Sequence, residues 1–247
     1  MSKWAVRGWV LAVPLAALGL LTPALAVNSS QLRQLLISRN CVACDLSAAV
    51  LVGAALDGAD LTGANLAGAD LREAQLSRAK LDMANLQQTD FREAALNDAT
   101  LTRADLSGAN LSQTALNRAD LSEAVAPGLN LEGAAARGSR WYRVNLQAGR
   151  FSAANLSETN LSQVDLTGAT LTNAQLYRAN LIGAKLGNAD FTGANLREAL
   201  IRDADVTNAN FTNADLSEAN LVRTDLSTAR FCNTRMASGD INNDHCP

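Results

Sequence analysis

The feature that most limits what this chain can fold into is a beat of five. From Leu46 to Phe231 an apolar residue, mostly Leu, returns at every fifth position without losing register, most plainly in LDGADLTGANLAGADLREAQLSRAKLDMANL over residues 56–86. Call that residue i. Position i−2 is Ala from Ala54 to Ala84 and mostly Ala beyond, with Thr89, Thr114 and Thr159 as exceptions. Position i−1 is mostly Asp or Asn, as in Asp60, Asn65, Asp70, Asn110 and Asp190, and i+1 and i+2 are small, polar or charged. An α-helix cannot use this pattern, because five residues advance about 140° and would smear the leucines around the cylinder. A straight strand cannot use it either, since an odd period sends successive leucines to opposite faces. The leucines share one interior only if the chain turns a corner in every repeat.

The phenylalanines count the corners. All five, Phe91, Phe151, Phe191, Phe211 and Phe231, differ by multiples of twenty. Among four sides chance would do this about once in a few hundred sequences, so the coil is read as four repeats. Coils joined by backbone hydrogen bonds stack ~4.8 Å apart. Leu fills the interior and Ala at i−2 leaves room for it; two bulky inward residues per repeat would overpack so narrow a core.

The A-[DN]-L-x-x pattern over residues 46–231 resembles the pentapeptide repeat family. The resemblance implies a right-handed quadrilateral β-helix. The expected fold class is therefore an all-β solenoid of pentapeptide repeats with a short N-terminal capping α-helix. It implies no single function. The family includes cyanobacterial proteins, many without a known role, and a branch that mimics DNA to bind DNA gyrase, and one scaffold hosts unrelated roles.

The chain divides into 1–26, 27–45, 46–231 and 232–247. Lys3 and Arg7 precede an apolar run from Val10 to Leu21, and TPALA follows with Ala24 and Ala26. This reads as an export signal cleaved after Ala26. An uncleaved anchor is the competing reading, and the run is short for a membrane span. Export points to a periplasm or, in a cyanobacterium, a thylakoid lumen. Residues 29–39 read as an amphipathic helix capped by Asn28 or a following Ser, with Leu32, Leu35 and Leu36 on one face to cover the open bottom of the coil.

Four cysteines in an exported chain suggest disulfides. Cys41 and Cys44 form a C-x-x-C, which can be a redox pair, half a zinc site or a structural loop. A redox role wants a βαβ context, and zinc needs two more ligands. Cys232 and Cys246 belong roughly 45 Å away at the other end of the rod, at ~4.8 Å per coil. A structural Cys41–Cys44 bridge and a Cys232–Cys246 bridge closing the tail are therefore expected. Similar C-x-x-C-D-L starts and Cys-bounded tails occur in the family that the chain resembles.

The weakest repeats lie between Val125 and Arg143. Ala126 and Ala136 replace the inward Leu, Pro127-Gly128 interrupts, and Trp141 takes an inward position. The plain expectation is a less ideal coil with a bulge or short outward loop. The functional expectation is a partner-docking patch built from Arg137, Arg140, Trp141, Tyr142, Arg143 and Arg150, since Arg and aromatic residues dominate interface hot spots. Elsewhere charges alternate at the coil spacing, as in Arg78, Asp98 and Arg118, in Arg103, Glu123 and Arg143, and in Glu158, Arg178 and Glu198. Such ladders stabilise modestly, and exposed pairs contribute almost nothing.

No catalytic constellation is present. The single histidine, His245, sits beside a terminal Cys, and no phosphate-cradling loop or His cluster occurs. No catalysis and no cofactor are expected. The formal charge of −3 carries no basic stripe, so nucleic acid is not an expected partner. Once the signal is removed, neither is a membrane. The expected role is a non-enzymatic structural or protein-interaction scaffold outside the cytoplasm, its partner an unidentified protein or a second copy meeting through a rod end. The alternative is a DNA-mimicking gyrase binder, which needs a cytoplasmic location and a strongly anionic surface. An ice-binding face, with Thr172, Thr192 and Thr212 on one side, lacks T-x-T pairing.

Overall fold

The computed structural model describes residues 28–246, and the export signal expected over 1–26 lies outside them. The chain enters through α1 (Ser29–Ser38), whose N-cap Asn28 accepts the amide of Gln31. Leu35 is fully buried and Leu32 packs partly buried against the core. Leu36, expected on the same face, is instead 54 % exposed. The helix is short and touches the coil along one line of residues, so its neighbouring positions turn outward.

From Asn40 onward the backbone coils. Single parallel bridges join residues twenty apart, from Asn40–Asp60 to Asp215–Arg235. Four five-residue segments make each coil, giving four columns of inward residues that contain Leu61, Leu66, Leu71 and Leu76. Phe191 stacks on Phe211 at 5.1 Å and Phe211 on Phe231 at 5.7 Å, so the phenylalanines share one column as the sequence predicts. Continuous strands are confined to the tail among the described residues, where β1 (Thr234–Arg235) pairs antiparallel with β2 (Ile241–Asn242).

Hydrogen-bond accounting explains the repeat. Around Leu66, the amides of Leu66 and Gly68 donate to Asn85 O and Gln87 O in the next coil, both at 2.8 Å. The amide of Asn65 donates to Cys44 O in the preceding coil at 2.8 Å, and that of Ala69 closes a turn onto Leu66 O at 2.9 Å. One amide of the five is left, that of Ala67, and the side-chain oxygen of Asn65 accepts it at 3.2 Å. The Asp or Asn at i−1 is thus an Asx acceptor for an amide with no coil partner.

The turn also demands a positive φ at i+2. Gly takes this at Gly63 and Gly68, but Arg103, Arg118, Glu123 and many others adopt it with a Cβ, at φ of 57° to 62° for these three. That conformation costs about 1 kcal/mol or more per non-Gly residue, offset because the i+2 amide then points along the rod into the ladder.

Leu, Phe and Ala form one continuous core with most members at 0–1 % exposure. The expected bulge at 125–143 is absent: the bridges run on through Val125–Asn145 and Arg140–Asn160. Pro127-Gly128 occupies the two outer turn positions, with Gly128 at φ +67°. Inside, the volumes are exchanged. Ala126 and Ala136 vacate the Leu position, while Leu129 fills the small i−2 position and Trp141 fills its own column, all fully buried.

Candidate functional site

The outer surface carries whatever function the rod has, and it is built from the positions that leave the core. Asp and Asn at i−1 face outward as turn acceptors. Where Ser or Thr follows at i+1, its hydroxyl donates to the same carboxylate, as Ser107 does to Asp105 and Ser122 to Asp120. These bonds lower carboxyl pKa values. The Thr62 hydroxyl, helped by the Thr62 amide and Lys80, outweighs desolvation and holds Asp60 below its ordinary value. The Arg92 guanidinium does the same for Asp90, and the Thr207 hydroxyl for Asp205.

At i+2 three of the six expected ladder rungs form as ion pairs, while Arg78–Asp98, Glu123–Arg143 and Glu158–Arg178 do not, Glu158 pairing instead with Arg137. Arg118 reaches Asp98 at 2.7 Å, Arg103 reaches Glu123 at 2.7 Å and Arg178 reaches Glu198 at 2.6 Å. Arg143 departs from its ladder: its Nε donates to Gln163 and its guanidinium lies 4.9 Å from the centre of the Tyr142 ring.

The six residues of the expected docking patch do not make one surface. Trp141 is fully buried, and its indole N–H donates to Ser139 Oγ at 2.6 Å. It is a core residue, because two inward alanines beside it leave volume that only a large side chain fills. Arg150 bridges Asn130 and lies ten residues, half a coil, from Arg140. Its guanidinium is held by Glu132 at 2.7 Å. Arg137, Arg140, Tyr142 and Arg143 lie on two successive turns and the bridge between them: Arg137 in the first turn, Tyr142 and Arg143 in the next, and Arg140 at the bridge position. There Arg137 pairs with Glu158 at 2.8 Å and Arg140 with Asp120 at 2.7 Å. A shallow groove of about 320 Å³ lies beside them, lined by Asn117, Arg118, Arg137, Gly138 and Glu158.

One disulfide lies near each end of the rod. Cys41 is bonded to Cys44 and Cys232 to Cys246, and no free cysteine remains. At the first end the Gln31 side chain accepts the Asp45 amide at 2.7 Å and Gln34 donates to Asn40 O at 2.9 Å, so the helix occupies edge groups of the first coil. Among the described residues no group of His, Cys, Asp and Glu is placed to hold a metal ion.

The model of the pentapeptide repeats matches the chain in eight copies over residues 40–77, 69–108, 104–140, 150–188, 174–213 and 209–243. The chain belongs to the pentapeptide repeat family. The matched stretches of this pentapeptide repeat protein break at 141–149, where Trp141 and Gly149 replace the usual residues. Its fold is similar to HetL, a pentapeptide repeat protein involved in heterocyst differentiation regulation in the cyanobacterium Nostoc sp. strain PCC 7120. The two share 31 % identity at a TM-score of 0.81, covering 82 % of this chain and 91 % of that one. A looser likeness links it to QnrB1, a plasmid-mediated fluoroquinolone resistance protein, at 21 % identity and a TM-score of 0.45 over 80 % of this chain and 92 % of the other. Another links it to a pentapeptide repeat protein from the Arabidopsis thaliana thylakoid lumen, at 31 % identity and a TM-score of 0.19 over 44 % and 66 %. No curated protein matches the chain in sequence.

Proposed function

We propose that this pentapeptide repeat protein is a non-enzymatic scaffold of an extracytoplasmic compartment, a periplasm or thylakoid lumen, that presents a rigid rod to a protein partner. The form we assign to that rod is a right-handed quadrilateral β-helix with α1 as its N-terminal cap. The observation that carries the compartment is the pairing of every cysteine, one bridge near each end. Disulfides persist in oxidising compartments and are rare in the cytosol. The apolar run and TPALA segment of the sequence support the same reading.

The interaction surface we favour is the side bearing Arg137, Arg140, Tyr142 and Arg143. It carries a stacked Arg–Tyr pair and, beside Arg137, the edge of a shallow groove. A gyrase-binding role is the second reading. The ion pairs at i+2 argue against it, because they neutralise the anionic surface that DNA mimicry requires.

Fractionation of cells producing the tagged chain, followed by capture from the compartment where it resides, tests the proposal. Retention in the cytosol would remove the compartment. Unchanged capture of every partner by a variant with Arg140, Tyr142 and Arg143 replaced by Ala would remove this surface. A supercoiling assay separates the second reading, since gyrase inhibition at equimolar protein would establish it.

A further inference from the structure

Three stacked turns on one side of the rod break the outer pattern together. Ile182, Arg202 and Val222 hold the same i+1 position on neighbouring coils. The ladder joins these turns, since the Gly183 amide donates to Arg202 O and that of Asp203 to Val222 O. Beside them Leu200 takes an i−1 position and bridges Asn180 and Asn220. Those two asparagines each accept the amide two residues on, from Ile182 at 3.1 Å and from Val222 at 3.2 Å. Leu200 has no oxygen to offer, and the Arg202 amide finds no acceptor among the described residues.

The outer positions here are also unusually apolar. Val222 is 55 % and Leu200 38 % exposed, and Ile182 is half-buried. Arg202 stands in the column between Ile182 and Val222. Its Nε is buried with no hydrogen-bond partner, and among the described residues its guanidinium enters no ion pair. The nearby carboxylates are taken: Asp203 by Arg223, Glu198 by Arg178 and Glu218 by Arg197. The patch therefore carries one unmatched positive charge beside apolar side chains. A carboxylate bound there is partly removed from water, which strengthens a charge-assisted hydrogen bond.

Charge and spacing together select the occupant. Coils rise by one strand spacing, so Ile182, Arg202 and Val222 stand at about 0, 4.8 and 9.6 Å along the rod. On one face of an α-helix, residues i, i+3 and i+7 stand at about 0, 4.5 and 10.5 Å along its axis. An extended strand presents the same face only every ~6.6 Å and falls out of step by the third position. A helix with an acidic residue between two apolar ones therefore matches the patch in both spacing and sign, and such anchors are how a partner helix is read. The helix of this chain, α1, has the sequence SSQLRQLLIS and no acidic residue, so a second copy does not supply it.

We propose that this side of the rod docks an amphipathic helix of a protein partner, laid along the rod axis. Apolar residues at i and i+7 of that helix rest on Ile182 and Val222. An Asp or Glu at i+3 is held by the Arg202 guanidinium beside Leu200. Arg202 is the anchor, an arginine in an apolar setting of the kind that carries much of an interface's binding energy. The proposal rests on the reading that the rod meets a protein partner. It does not depend on the compartment or on the residues around Arg140, which lie three coils below Leu200, ~14 Å away.

Nuclear magnetic resonance titration of the isotopically labelled, oxidised protein tests it. The probe is an end-capped, Ala-rich peptide of about 18 residues, long enough to be helical, with Leu at i and i+7 and Glu at i+3. A second peptide, matched in helicity by circular dichroism, carries Gln in place of that Glu. The expected result is saturable movement of the Gly183, Arg202 and Val222 amide signals and of the Arg202 Nε–H signal. The Gln peptide binds at least about tenfold more weakly, and so does the Glu peptide to Arg202→Gln, read from Gly183 and Val222. Leu200→Asn restores the turn acceptor, keeps the melting temperature and also weakens binding. Arg103→Ala, five coils down the same corner, leaves binding unchanged. No movement at about 5 mM peptide, equal binding of the two peptides, binding indifferent to Arg202→Gln, or signals moving on another side instead would each overturn the proposal. The titration uses no cellular partner, so failure of the surface around Arg140 and failure of this site are read separately.

Discussion

The coils of residues 56–121 and the stretch of residues 125–151 solve one packing problem in two ways. In the first stretch the inward position is Leu or Phe and the i−2 position is mostly Ala. In the second, Ala126 and Ala136 sit inward, Leu129 takes an i−2 position, Ser139 holds the Trp141 indole, and Gly149 precedes Phe151. Yet the bridges at a spacing of twenty continue through both. What each coil keeps is the ladder of amides one coil apart and a filled interior; which residue supplies the volume can change. An irregular repeat in this rod is thus a rearranged core, and its outer surface stays on register.

The largest test of this comparison is Trp141→Ala. A buried aromatic truncated beside two inward alanines has few neighbours able to collapse into the space, so a loss of about 4 kcal/mol is expected. Leu101→Ala in the regular stretch should cost less, about 3 kcal/mol. Urea unfolding of both variants measures the difference, and equal costs would break the comparison.

Volume exchange predicts a non-additive pair. Leu129→Ala alone should cost about 3 kcal/mol and Ala126→Leu alone about 2 kcal/mol by overpacking. Together they restore the regular pattern and should cost much less than the sum. A double-mutant cycle measures this coupling, expected at about 2–3 kcal/mol for neighbours sharing one space. Simple additivity would show that the two positions do not exchange volume.

Gly149→Ala is the next in size. An added Cβ would stand 2.5 Å from Phe151 Cε2 and 3.0 Å from Leu146 O, and moving the ring costs about 1–3 kcal/mol. At Ala189, which precedes Phe191 in the same way, the reverse change to Gly should cost less, mainly through backbone freedom, about 0.5–1 kcal/mol.

The outer ladders mark the small end. Arg118→Ala removes an exposed pair with Asp98 and should leave the melting temperature nearly unchanged, with any difference vanishing at high salt. Acid should matter more, because many turn carboxylates act together. Asp60, Asp90 and Asp205 have folded-state pKa values below the ordinary one. Folding therefore releases protons, and this stabilisation is complete above the unfolded value of about 3.9 and is lost as pH falls through the lower folded values. Melting temperature against pH should be flat from neutral to about pH 5 and drop below about pH 4. A drop beginning near pH 6 would contradict the assignment.

Much of the fold was legible because the constraint is one-dimensional. The five-residue beat fixed which residues face inward, and the phenylalanines fixed the coil length, since Phe191 and Phe211 must stack if the period is twenty. Both disulfides were readable because the two cysteine pairs fall at opposite ends of the rod. The positive φ of Arg103 or Glu123 was not readable, because that strain is outweighed by ladder bonds that only the coil creates. Trp141 falls at an inward position by register, and its full burial follows that register; only its grouping with the outward arginines as a docking patch fails. Arg150 looked adjacent to Arg140 in sequence and lies half a coil away.

The coil length is the claim on which all of this stands, and cysteine pairs outside the core test it directly. Ser112→Cys with Glu132→Cys places two thiols at outward i+1 positions one coil apart, within reach of a disulfide, whose Cα atoms lie ~4.4–6.8 Å apart. Ser112→Cys with Arg137→Cys separates them by one side more. Mild oxidation followed by peptide mapping should cross-link the first pair rapidly and leave the second reduced. Cross-linking of the second pair, or of neither, would contradict a coil of twenty residues.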